Sequence, residues 1–245
     1  MIMDQLPQIV ILAAGKAKRL YPISEVLPKI LIPVLDKPLG FHILEYLHEQ
    51  GASKVLLCIN ERFADLIKSV FGDGKRFGLQ LSYSVSKGLG TAGEIWNAKA
   101  HNLLEKDFII YYGDILTDFD LQSFWKAHLL DQGDLTITVS SKADVPFGVL
   151  ICGDQLTMME KPNLNQLRED AFATMGILAV SGQAVKLFKP NLDIFADVVP
   201  KALNSSDLLT RVHISEANWF DCGTWSRIEK AEAWLRSRVR NLKRK

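Results

Sequence analysis

The apolar run Gln8 to Leu12 leads into Ala13-Ala14-Gly15-Lys16-Ala17-Lys18-Arg19-Leu20, with Pro28-Lys29 and Pro33-Val34 close behind. A short apolar run bounded by small residues predicts a buried β-strand followed by a sharp turn. In open α/β sheets, the carboxyl end of a strand is where ligands bind. Lys16, Lys18, Arg19 and Lys29 would place four positive charges around that turn, which suits a triphosphate better than a neutral substrate. Two familiar phosphate loops do not fit. A P-loop needs a second glycine and a lysine where Leu20 and Tyr21 stand, and a dinucleotide fingerprint needs glycines at Ala17 and Leu20. On these residues alone, an ordinary strand leading into a solvated basic loop stands as the alternative.

The chain beyond the loop alternates between two periodicities. Leu39 to Gln50 has helical spacing and is stopped by Gly51; Lys54 to Ile59 reads as a buried strand. Glu61 to Phe71 reads as a helix ended by Gly72-Asp73-Gly74, and Leu79 to Val85 as a strand. Gly93 to Leu104 (helix), Phe108 to Tyr112 (strand), Leu121 to Leu130 (helix) and Leu135 to Val139 (strand) continue the series. Such alternation predicts an α/β fold: a mostly parallel sheet with helices on both faces and right-handed crossovers. From about Phe147 short strands outnumber helices, with no linker. We therefore expect a single domain over residues 1–245, in which about 1–146 and about 147–245 form two parts. The final helix, Trp225 to about Arg240, carries Ile228, Ala231 and Leu235 at core-facing spacing and should dock on the sheet.

Bulk properties exclude some classes. The chain has 29 basic and 28 acidic residues, a net +1, so no global field points to nucleic acid or membrane. Six basic residues and no acid lie between Arg236 and Lys245, leaving 23 against 28, a net −5, for residues 1–235. A solvated helix end with cations favoured by the dipole explains this tail, with an interaction tail as the alternative. Cys58, Cys152 and Cys222 are odd in number and far apart, which argues against a disulfide framework and for a reducing compartment, the cytoplasm by default. No signal-peptide pattern or bilayer-length apolar stretch is visible. The five histidines show no i, i+4 ligand pair.

Several short motifs recur in a fixed order: Leu12 to Leu20, Pro28-Lys29, Pro33-Val34, Leu89-Gly90-Thr91-Ala92-Gly93, Gly113-Asp114, Phe147-Gly148-Val149, Glu160-Lys161-Pro162 and Trp219-Phe220-Asp221-Cys222-Gly223-Thr224. With them the chain resembles the sugar-1-phosphate nucleotidyltransferases over most of its length, in the short form that lacks a β-helical extension. The resemblance implies a Rossmann-like fold of the nucleotide-diphospho-sugar transferase type. It also implies attack of a sugar 1-phosphate on the α-phosphorus of a nucleoside triphosphate, with pyrophosphate leaving. Positioning and charge stabilisation dominate such transfers.

The resemblance further implies roles. Arg19, Lys29 and Asp114 would be catalytic. Leu12, Ala13, Ala14, Gly15, Lys16, Lys18, Arg19, Gly90 and Thr91 would bind the nucleotide. Gly148, Glu160, Lys161 and Thr174 would hold the sugar phosphate, and Asp114 with Asp221 would bind Mg2+ through hard oxygens. Asp118 and Asp120 read instead as turn and cap residues. The texture from Gly72 to Gly93 leans to GTP and mannose 1-phosphate. No nucleic acid or membrane is expected as a partner; base, sugar and any homo-oligomer stay open.

Four departures mark this chain: Ala17 for a glycine, Lys18 for a threonine, Thr174-Met175-Gly176 for N-A-G, and Ser86-Lys87-Gly88 where a glutamate is common. They keep two other readings open: a cytidylyltransferase for a non-sugar phosphate such as phosphocholine, against which Glu160-Lys161-Pro162 argues, and a non-catalytic nucleotide-binding regulatory homologue. A nucleic-acid module built on the basic tail is the third alternative.

Overall fold

The computed structural model describes residues 6–141, 149–152, 156–159 and 171–242. Its first half runs β1 (Gln8–Ala13), the small ribbon β2 (Pro33–Val34) and β3 (Lys37–Pro38), α1 (Leu39–Glu49), β4 (Lys54–Asn60), α2 (Ala64–Phe71), β5 (Gln80–Ser86), α3 (Thr91–Ala100) and β6 (Phe108–Tyr112). There follow β7 (Ile115–Thr117), α4 (Leu121–Leu130), β8 (Leu135–Ser140), β9 (Val149–Cys152), β10 (Leu156–Met159), β11 (Ala171–Val180), α5 (Val199–Leu203), β12 (Thr210–Ser215), β13 (Trp219–Asp221) and α6 (Trp225–Leu242).

Nine strands form the main sheet in the order β10-β9-β11-β6-β1-β4-β5, with β8 also on β11 and β12 on β8. The four strands β6-β1-β4-β5 are parallel, as the strand and helix alternation predicts. Alternate residues of these strands feed opposite faces: Ile9 and Ile11 join the core cluster with α1 and α2, whereas Val10 joins the one with α3. A strand buried on both sides must be apolar throughout, which is why β1 reads as a run and not an alternation.

Three expectations are corrected. The strand at Leu135 does not continue the parallel series beside β6, because β11 lies antiparallel between β6 and β8. The helix expected over Gly93 to Leu104 is α3, Thr91–Ala100: Gly90 at φ 80° starts it, and Asn102 at φ 56° turns the chain after it. The last helix buries Ile228 and Ala231 as expected, but docks on β13 and β2, not on the main sheet.

Strand β11 changes partner along its length. Ala171 to Ala173 pair with β9, Ile177 to Val180 pair with β6, and the register with β8 shifts between Thr174 and Leu178. Gly176 sits at this shift with φ 70°, and an added Cβ would stand 3.1 Å from the Tyr112 side chain, so a residue without a side chain fits the bulge. Trp219 fastens β13 here, its indole N–H donating to the Met175 carbonyl at 2.7 Å.

Buried histidines give the fold a pH dependence. His128 is 1% exposed, lies between Thr136 Oγ1 at 2.7 Å and Ser181 Oγ at 3.0 Å, and stacks on Trp125. Burial lowers its pKa below the ordinary 6.5, against the opposing pull of Asp107, Asp134 and Asp131. Burial likewise lowers His213, packed against Phe119 and Phe124, and His42. The unfolded chain then binds protons that the folded chain refuses, so this contribution is present above pH 6.5 and is lost as pH falls toward the depressed folded values. The unfolding free energy should drop between pH 7.5 and 5.5 in denaturant titrations, and His128→Gln should flatten that slope; an unchanged slope would remove His128 as its source.

The described thiols are not reactive. Cys58 and Cys222 are buried and unpaired with each other, and burial raises both pKa values, that of Cys222 to about 12. No helix among the described residues is long and apolar enough to cross a membrane.

Candidate active site

Two short turns present the cations. After β1 the chain passes through Ala14 to Ala17 into a 3₁₀ turn, Lys18–Leu20, in which Leu20 is fully buried while Lys18 and Arg19 stay exposed. A second 3₁₀ turn, Lys29–Leu31, buries Ile30 and Leu31 and leaves the Lys29 side chain 15% exposed. Each turn is thus anchored by an apolar residue that aims its cationic neighbours at one cleft. That cleft, about 270 Å³, is lined by Leu12, Ala13, Gly15, Lys18, Arg19, Lys29 and Asp114 among others. Gly15 forms its open side, since a Cβ there would meet no atom within 4 Å. Packing therefore does not demand glycine at 15.

The acidic pair comes from a ribbon separate from the main sheet. β7 and β13 pair antiparallel with Asp221 opposite Ile115, and the Cys222 N–H donates to the Asp114 carbonyl at 2.8 Å. This register sets Asp114 and Asp221 side by side although 106 residues separate them. Gly113 lets Asp114 approach the loop: its N–H donates to the Leu12 carbonyl at 2.9 Å, and an added Cβ would also crowd Ile11 and Ala13.

One ammonium joins both carboxylates. Lys29 Nζ donates to Asp114 Oδ2 and lies 3.8 Å from Asp221 Oδ1. Arg19 Nη2 stands 3.9 Å from Asp221 Oδ2, and Arg227 Nη1, on the first turn of α6, hydrogen-bonds the same oxygen at 3.2 Å. Gly223 closes the group: its N–H donates to Asp221 Oδ1, and a Cβ there would collide with Asp221 and Arg19. Asp221 has a raised pKa, chiefly from burial and then from the charge of Asp114, with Lys29, Arg227 and Arg19 pulling it back down. Two acids that repel each other and already share a cation form a site that favours added positive charge.

Ala14 and Lys16 line a neighbouring hollow with Asn60 and Arg62, and the remaining expected residues fall into three groups. Gly148, Glu160 and Lys161 lie outside the described residues. Thr174 is buried in β11 at the register shift. Gly90 and Thr91 serve a clamp: the Thr91 hydroxyl donates to Asp193 at 2.8 Å and accepts from the Ile194 N–H, while the Gly90 position faces the Leu192 carbonyl. Asp120 caps α4 through the Ser123 N–H, as read from the sequence, and Asp118 accepts from the Asn218 backbone and side chain.

Sequence reasoning missed Arg227. Its signal was electrostatic: an arginine in the first turn of a helix opposes the helix dipole and wants a nearby carboxylate. Ala17 adopts φ 47°, ψ 38°, the left-handed region that disfavours a side chain. Ala17→Gly should therefore raise stability by about 1 kcal/mol with activity kept or raised, as thermal melts and turnover would show. A loss of turnover would mean that the alanine is tuned to its ligand.

Comparison with known proteins places this geometry in context. The family model described as nucleotidyl transferase matches residues 8–238. A UTP--glucose-1-phosphate uridylyltransferase of Synechocystis sp. is 31% identical over 232 residues, 87% of this chain and 59% of that protein. A D-glycero-alpha-D-manno-heptose 1-phosphate guanylyltransferase of Aneurinibacillus thermoaerophilus is 30% identical over 149 residues, 60% of this chain and 64% of that one. The chain therefore spans roughly three fifths of the length of these two relatives. The crystal structure of HddC from Yersinia pseudotuberculosis has the same fold, with TM-score 0.77 and 23% identity over 94% of this chain and 100% of that one.

Proposed function

Because the chain belongs to the nucleotidyl transferase family, we propose that it transfers a nucleotidyl group from a nucleoside triphosphate to a sugar 1-phosphate, releasing pyrophosphate and forming a nucleotide sugar. The observation that carries this reading is the single ammonium of Lys29 held between Asp114 and Asp221 at the mouth of a cleft lined by the β1 loop. A phosphate oxygen of the sugar 1-phosphate attacks the α-phosphorus in line, a new P–O bond forms, and the α–β bridge bond breaks with its electron pair leaving on pyrophosphate. The β1 loop cradles the triphosphate, and Arg19 and Lys18, exposed on its turn, meet its negative oxygens. Lys29 neutralises charge that grows on the α-phosphate and the leaving group.

The residues fit a divalent cation. Asp114 and Asp221 offer only hard oxygen donors and already converge on one positive group, the Lys29 ammonium. Mg2+ held by these two carboxylates would supply charge neutralisation for the phosphates. Arg227 keeps Asp221 oriented through its Oδ2. Gly148, Glu160, Lys161 and Thr174 are the candidates for the sugar phosphate.

The relatives are named for UTP and for a guanylyl transfer, so the base is open and our lean to GTP with mannose 1-phosphate rests on sequence texture alone. A grid of five nucleoside triphosphates against a panel of sugar 1-phosphates, with Mg2+ and a pyrophosphate-release readout, names both substrates. Phosphocholine belongs in the panel as the non-sugar alternative. No release from any pair, with nucleotide still bound, would favour the regulatory reading.

A further inference from the structure

Three cations converge on the Asp221 carboxylate, and two of them meet at the same oxygen. Oδ2 accepts from Arg227 Nη1 at 3.2 Å and stands 3.9 Å from Arg19 Nη2, while Lys29 approaches Oδ1. The two arginines differ in setting. The Arg227 side chain, from the first turn of α6, is 24% exposed; that of Arg19, from the turn after β1, is 60% exposed. The Arg19 guanidinium rests over Gly223, where an added Cβ would stand 3.2 Å from Cζ and closer still to Nη2. This pose engages Arg19 with the protein's own carboxylate, whereas the transfer reaction needs it on the triphosphate.

Arg227 stands where a helix disfavours it. The first turn of α6 carries no acidic residue, and the positive end of the helix dipole repels a guanidinium there. Its hydrogen bond to Asp221 offsets that repulsion and has a further effect. The Asp221 side chain is 11% exposed and lies beside Asp114, so its charge must stay matched whichever way Arg19 turns. A charge left unpaired in a buried site is strongly unfavourable. With Arg227 in place, Asp221 keeps a hydrogen-bonded cation when Arg19 departs, and an exposed ion pair at 3.9 Å is weak enough to be given up readily. Without Arg227, the same departure would strip Oδ2 of both guanidinium groups, and Arg19 would instead be drawn in to close the gap.

We propose that Arg227 is a positioning residue for Arg19: by holding Asp221 Oδ2, it frees the Arg19 guanidinium to leave Gly223 and meet the triphosphate. The inference rests on the transfer reaction proposed above, and its test reads binding separately from turnover. The purified chain and its variants Arg19→Ala, Arg227→Ala, Arg227→Lys and the double variant Arg19→Ala/Arg227→Ala are titrated by calorimetry with ATP, GTP, CTP, UTP and dTTP at saturating Mg2+. The nucleotide that the unmodified chain binds most tightly is carried through the set. KM and kcat for that nucleotide, and KM for the sugar 1-phosphate that gives the fastest pyrophosphate release, are measured alongside.

Arg19→Ala and Arg227→Ala should each weaken nucleotide binding by about tenfold or more, the usual loss for a hydrogen bond to a charged group. The sugar-phosphate KM should stay within about twofold. In the Arg19→Ala background, Arg227→Ala should add less than about twofold, because the group through which it acts is gone. Arg227→Lys, which keeps a cation on Oδ2, should bring binding back to within about threefold of the parent. If Arg227→Ala does not fold, Arg227→Gln, which keeps an N–H for Oδ2 but not the charge, carries the same cycle with a milder loss, again absent once Arg19 is alanine. Losses that multiply in the double variant, or unchanged binding in either single one, would overturn the role of Arg227. Failure of the unmodified chain to bind any nucleoside triphosphate would take the transfer reaction down with it.

Discussion

Asp114→Asn lowers turnover by at least about a hundredfold, the usual consequence of removing one charge-stabilising group from a site of this kind, and leaves the melting temperature where it was or higher. The two halves of this expectation have one cause. Asparagine keeps the shape of the side chain and its contact with Lys29, so β6, β7 and the ribbon with β13 are undisturbed. What disappears is a negative charge beside Asp221. That charge is the second cause, after burial, of the raised Asp221 pKa, so its removal makes Asp221 easier to ionise in the folded protein. The weakened Lys29–Asp114 pairing offsets that gain in stability, and divalent cation affinity falls. Turnover within tenfold of the parent would show that Asp114 does not hold charge during the reaction. Arg19→Ala should behave alike in turnover, since the exposed Arg19 contributes little to the folded state.

Gly90→Ala should be among the most damaging single methyls within the described residues. Gly90 has φ 80°, ψ 161°, a conformation closed to side chains, and an added Cβ would stand 2.5 Å from the Leu192 carbonyl oxygen. Both sides of that collision are backbone, so no rotamer change relieves it. The movement needed would open the clamp in which Ala92 donates to Leu192, Asn191 donates to Leu89, and Thr91 bonds Asp193. Loss of about 3 kcal/mol or more is expected, a fall in melting temperature on the order of 10 °C for a chain of this size. Gly72→Ala is the comparison: φ 61°, ψ −141° also disfavours a side chain, at a cost of about 1–3 kcal/mol, but nothing lies within 4 Å of an added Cβ, so no collision adds to it. Equal melting temperatures for the two variants would mean that the clamp is not rigid.

What the sequence made legible follows from the range over which each signal acts. β1, β4 and β6 are visible because burial on both faces writes an uninterrupted apolar run. α1 and α4 are visible because their ends carry Gly51 and Asp120. The cationic turn was readable from Lys16 to Arg19, and the left-handed strain at Ala17 from the residue it replaces. The ribbon was not readable: Ile115–Thr117 and Trp219–Asp221 are three residues each, too short to show a period, and their pairing spans most of the second half of the chain. The place of β11 escaped for the same reason, since nothing local to Ala171 to Val180 says that it lies antiparallel beside β6. Asp221 entered only through the resemblance, and Arg227, which shares its carboxylate, was invisible until α6 was placed. The clamp role of Thr91 depends on Asp193, whose own neighbourhood carries no sign of it.

The ribbon also sets an order on how the molecule can be completed. A nascent chain that has emerged as far as Val180 holds β1, β4, β5 and β6, both cationic turns and one of the two acids. It lacks the strand that would place the second carboxylate, because Trp219 to Asp221 and the helix that pins them come last. Under the proposed reaction, the turns that would meet the triphosphate are therefore synthesised before the strand that brings the second carboxylate beside the first.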